Sequence, residues 1–148
     1  PIPRMTRIEF HFNTQERLVH TCRLLRKARS QGFRVAVLGE PVTLHRLDQA
    51  LWSFSETEFL AHCTSDDPPA IQQASDLFLG EQALLRPDLT VLVNLGDQVP
   101  VSYDRFERLI EVVANDEHGR SEARRRWKYY KAQGFELVQH DLSKKTET

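Results

Sequence analysis

The stretch LTVLVNL at residues 89–95 constrains the fold more than any other part of the chain. It is a short, nearly uninterrupted apolar run rich in Val and Leu. It is too brief for an ordinary helix and lacks the alternation of a strand with one wet face, so it reads as a central strand buried on both sides. RVAVLG at residues 34–39 has the same character. Strands of this kind occur in sheets whose parallel crossovers lay helices over both faces, which points to an α/β architecture.

The other periodicities fit that frame. RIEFHF, with Ile8 and Phe10, alternates apolar and polar residues and predicts a first strand. Leu18, Cys22 and Leu25, flanked by Val19, predict a helix from Gln15 to Gln31 with Gly32 as its stop. Pro41 and Thr43 open a second helix that carries Leu44, Leu47 and Leu51 and ends near Trp52. EFLAHC and SDLFLG are further strand candidates, while Thr64 to Pro69, with its consecutive prolines, reads as a surface loop.

After Pro100, Phe106, Leu109, Ile110 and Val113 form an i, i+3, i+4, i+7 stripe that predicts another helix. A break from Asn115 to Gly119 precedes the last helix, capped by Ser121 and ended by Gly134, and FELVQHDL supplies a final strand. The expected fold is a three-layer α/β sandwich with a mainly parallel central sheet, nucleotide-binding-like but without a phosphate loop.

At 148 residues and 40% apolar content the chain suits one domain, expected over residues 5–142, with 143–148 as a flexible tail. Pro1 to Arg4 precede Met5, which reads as a natural start, and are expected to be a remnant. Cys22 and Cys63 stand far apart without a CxxC motif, in keeping with a reducing cytoplasm. No stretch approaches the roughly 18 consecutive apolar residues of a membrane span. A formal net charge of −1 argues against coating nucleic acid through overall charge.

The signatures of catalysis are missing. There is no GxxxxGK[ST] loop and no GxGxxG turn to bring backbone amides against phosphate, and Gly39 and Gly96 read as turn residues. No GxSxG elbow appears. The histidines at 11, 20, 45, 62, 118 and 140 show no metal-ligand spacing and fall in separate elements, so a metal site would need a coincidence in three dimensions. Asp66 and Asp67 read as a solvated turn. No catalytic residue, cofactor or metal is expected.

One segment does stand out. Between Arg120 and Lys131 lie six basic residues and one acid, Glu122. On a helix, Ala123, Trp127 and Tyr130 share one face and Arg120, Arg124, Lys128 and Lys131 the next, which puts Trp127 on the border between an apolar and a basic stripe. Such a border can hold an apolar anchor and a carboxylate of one short peptide. Periodicity by itself favours a plainer arrangement, with Trp127 and Tyr130 in the core and the basic side chains solvated. Single-stranded nucleic acid would use the same residues through stacking and phosphate contacts. Trp52, Phe54 and Phe59 form a second aromatic cluster, suited to core packing or to an interface.

RLDQALW at the second helix and the closing RRRWKYYKAQGFELVQHDL are the segments through which the chain resembles the chi subunit of bacterial DNA polymerase III. The resemblance implies a non-catalytic adaptor of the clamp loader with two partner surfaces. Trp52 and Phe59 would fall on the surface for the psi subunit, where a related helicase can compete. Arg124, flanked by Arg120 and Lys128, would bind the acidic, phenylalanine-terminated tail of single-stranded DNA-binding protein. Trp127 stands where the family usually has tyrosine, and Val113 lies near the family's apolar contact. The association with DNA would be indirect. The alternatives left by the residues alone are an α/β nucleotide-binding enzyme and a direct single-strand binder.

Overall fold

Val35–Leu38 (β2) and Val91–Asn94 (β5) are buried at every position and pair in parallel at the middle of the sheet. The computed structural model describes residues 6–53, 62–64, 67–68, 70, 75–80 and 88–143. Around the central pair lie Arg7–Phe12 (β1), His62–Thr64 (β3), Leu77–Gly80 (β4), Arg108–Val112 (β6) and Leu137–Asp141 (β7). The spatial order is β3-β4-β2-β5-β6-β1-β7, and every pairing among the described strands is parallel. The sequence had predicted a mainly parallel sheet.

Helices Arg17–Ser30 (α1) and Pro41–Ser53 (α2) cover one face of the sheet, and Glu117–Ala132 (α3) covers the other. α1 buries Cys22, Leu25 and Ala28 against Val35, Val37 and Ile110. α3 buries Ala123 and Tyr130 against Ile8, Phe10 and Leu109. Because side chains alternate along a strand, β2, β4, β5 and β6 each feed both cores. Gly32 (φ 86°) and Gly134 (φ 93°) take the left-handed turn that lets α1 and α3 stop, as their sequence positions predict.

Two expectations are corrected. Phe106 to Val113 is not a helix: a short 3₁₀ turn at Tyr103–Arg105 leads into β6, an interior strand between β5 and β1. The helical stripe rested on the spacing of the apolar residues alone; Glu111, the polar residue that interrupts the run, is fully buried on the α3 side. The last helix also begins earlier than Ser121. Asp116 is its cap, with Oδ1 accepting from the Gly119 amide at 2.6 Å. Gly119 looks like a breaker in sequence but is helical, and it lies so close to Ala114 that a Cβ there would stand 2.7 Å from the Ala114 carbonyl oxygen. The predicted strand EFLAHC meets β3 only at its end, and its earlier residues lie outside the described ones.

Candidate functional site

A groove of about 530 Å³ runs between α3 and the β1–β7 edge of the sheet. Phe10 and Phe12 supply its floor from β1, Gln139 comes from β7 opposite Phe10, and Val113 closes one end just beyond β6. From α3 come Arg120, Ala123, Arg124, Trp127 and Lys128. The i, i+4, i+8 spacing of Arg120, Arg124 and Lys128 sets three cations along one rim.

Trp127 is half-buried, and its ring meets Phe10 edge-on at 5.2 Å between centroids. It therefore packs against the core, as the plainer arrangement expects, and also lines the groove. Arg120 donates to Asn115 Oδ1 at 2.7 Å. Arg124 and Lys128 are exposed, and among the described residues neither is engaged in an ion pair. Arg125 pairs with Glu122 at 3.7 Å.

Arg126 breaks the pattern of a uniformly solvated basic face. It is buried, with Nε donating to Glu111 Oε1 at 3.1 Å and Nη1 donating to the Asp97 carbonyl at 2.7 Å. Tyr130 donates to Glu111 Oε2 at 2.6 Å and Asn94 donates to Oε1 at 3.0 Å. Burial pushes the Glu111 carboxyl above the usual range, against the opposing pull of Arg126 and the hydrogen bonds from Tyr130, Asn94 and Arg126. Burial and the neighbouring Glu111 likewise push the Tyr130 phenol up. This network fixes the rotation of α3 about its axis and so aims Arg124 and Lys128 at the groove.

The structure thus brings together Arg120, Arg124, Trp127 and Lys128. Trp52 stands apart from them, 60% exposed near the end of α2 on the opposite side of the sheet. Phe59 lies outside the described residues. Sequence reasoning missed Phe10, Phe12 and Gln139 as groove residues. Their signal was the alternation of β1 and β7, which assigns those side chains to the α3 face once strand order is known.

The sequence profile of the family described as DNA polymerase III chi subunit, HolC, matches residues 5–138. The chain belongs to the chi subunit family. It is 32% identical to the DNA polymerase III subunit chi of Pseudomonas aeruginosa, over 93% of this chain and 98% of that protein. The chi subunit of Haemophilus influenzae is 30% identical over 62% of each chain. Among solved structures the chi-like fold is similar to the C-terminal domain of the DEAD-box protein Dbp5, with a TM-score of 0.61 and 11% identity over 97% of this chain and 93% of that one. Saccharomyces cerevisiae Dbp5 bound to RNA and ADP BeF3 gives a TM-score of 0.64 at 11% identity, over 95% of this chain and 42% of that one. At that identity the likeness concerns the fold alone. No helix among the described residues is long and apolar enough to cross a membrane.

Proposed function

We propose that this chi-family chain is a non-catalytic adaptor in the cytoplasm. It links the polymerase III clamp loader, through psi, to the acidic C-terminal tail of single-stranded DNA-binding protein. The observation that carries this reading is the groove in which an aromatic floor of Phe10, Phe12 and Trp127 lies beneath the cationic rim of Arg120, Arg124 and Lys128. A tail that ends in phenylalanine and bears acidic side chains needs an apolar seat, with a cation for its terminal carboxylate a few ångströms away. Arginine suits that carboxylate because its planar fork donates two parallel hydrogen bonds, while lysine offers a point charge. The psi subunit, or a helicase that competes with it, would take the α2 side, where Trp52 and Phe59 contribute.

Titration of a tail peptide into the pure chain tests the first surface. Arg124→Glu is expected to weaken binding by more than tenfold, which is about 1.4 kcal/mol or more. Arg124→Lys should weaken it less, by several-fold. Affinity should fall with added salt, because exposed charges are screened over about 8 Å at physiological ionic strength, yet binding at the apolar floor should persist in part. Wild-type affinity in Arg124→Glu would remove the tail from this groove.

A further inference from the structure

On the other face of the same two strands, two histidines meet one buried carboxylate and a third backs one of them. Glu9 and His11 lie on β1, His140 on β7 directly opposite His11, and His20 reaches over from α1. Their ring and carboxylate atoms converge at the edge of a cavity of about 400 Å³ whose mouth carries Arg23 and Lys27. The tail groove uses Phe10, Phe12 and Gln139 of these strands, so this cluster is a separate feature.

The distances identify what the cluster is shaped for. His11 Nε2 and His140 Nε2 each stand 3.4 Å from the same Glu9 oxygen, Oε1. That is long for a charge-assisted hydrogen bond, which closes to about 2.7–2.9 Å. It matches the edge of a tetrahedral metal site, where ligands about 2.0 Å from the ion lie about 3.3 Å from one another. The ligand atoms of Glu9, His11 and His140 all fall within 4.8 Å of one another. His140 is the partly exposed member, on the edge strand β7.

The surrounding contacts are those a metal ligand needs. His11 Nδ1 lies 2.9 Å from His20 Nε2, which fixes the His11 ring and turns Nε2 toward Glu9. Arg108 donates to Glu9 Oε2 at 2.7 Å and to Oε1 at 3.0 Å, holding the carboxylate while leaving Oε1 one further lone pair. Two imidazoles and one carboxylate suit the later first-row divalent ions, zinc, cobalt, nickel and copper, over magnesium or calcium. Arg7, Arg23 and Arg108 oppose a dication electrostatically, which sets the expected affinity at micromolar rather than tighter.

We propose that Glu9, His11 and His140 form a binding site for one late first-row divalent cation, with His20 as the positioning residue of His11 and a fourth coordination place open to the cavity. Such an ion ties the edge strand β7 to β1.

The test uses the full chain stripped with chelator. Zinc titrated by calorimetry should bind one equivalent at micromolar affinity, and cobalt should give the intense visible absorption of a tetrahedral site. His140→Gln, at an exposed position, should lower zinc affinity at least tenfold and abolish that absorption. His11→Gln should do the same if its circular dichroism stays native. His45→Gln, on the exposed side of α2, should change neither reading. Absence of saturable zinc and cobalt binding would overturn the proposal. So would binding that His140→Gln leaves unchanged, or a cobalt spectrum of six-coordinate type.

Discussion

Arg126 shows how one side chain can be mistaken for part of a charged surface. It sits among five other basic residues, yet it falls on the same helical stripe as Ala123 and Tyr130, and the structure seats it against Glu111. Removing one partner of a buried pair strands the other charge, at a cost of about 3–5 kcal/mol, whereas replacing both by apolar groups of similar shape costs far less. Arg126→Ala is therefore expected to shift the urea midpoint strongly downward, and Glu111→Leu combined with Arg126→Met to recover much of that loss. Equal stability of Arg126→Ala and wild type would mean that the pair does not exist in solution. The signal was present in the sequence, since position 126 lies on the buried face, but a basic run conceals an inward-pointing member until its acidic partner is known to be interior as well.

Among the secondary-structure elements, those with a single unambiguous period were legible. β1, α1, β2, α2 and β5 follow from the spacing of their apolar residues, as do the glycine stops at Gly32 and Gly134. β6 was not legible, because an interior strand with a buried ion-pair member shows the same polar interruptions as an amphipathic helix. The start of α3 was missed for a related reason, since Gly119 is chosen for close approach to Ala114 and not for a turn. Alanine at 119 would gain about 1 kcal/mol of helix propensity but would push a Cβ into backbone at 2.7 Å. Strain of about 1–3 kcal/mol is the expected larger effect. Gly119→Ala should accordingly unfold at lower urea than wild type. A midpoint equal to or above wild type would show that the first turn of α3 shifts freely. The candidate groove was half legible: its α3 residues share one stripe in the sequence, while its floor depends on β1 and β7 being neighbours, and strand order across about 130 residues of chain is not written in any local pattern.

At the scale of the molecule, the sheet has the place where α/β folds hold ligands, and two carboxylates stand there. The connections leaving β2 and β5 run to opposite sides of the sheet, so their carboxyl ends form a topological switch point with a crevice beside it. That crevice carries Glu40 and Asp97, and α2 opens on Pro41, which has no amide to offer. Two carboxylates at this place disfavour an anionic ligand electrostatically. The binding surfaces we infer lie instead on the two outer layers, Arg124 on α3 and Trp52 on α2, with the whole sheet between them. Surfaces separated in this way, with no shared side chain, should respond to mutation independently. Trp52→Ala is expected to cost about 2 kcal/mol in binding psi, the scale of an interface aromatic, and to leave tail-peptide affinity within about twofold. Arg124→Glu should do the reverse, losing the peptide and retaining psi. Both variants can be followed by calorimetry against each partner, with circular dichroism as the control for folding. Retention of psi by a folded Trp52→Ala variant would take Trp52 out of the seat, and loss of both partners in either folded variant would mean that the two surfaces communicate through the sheet.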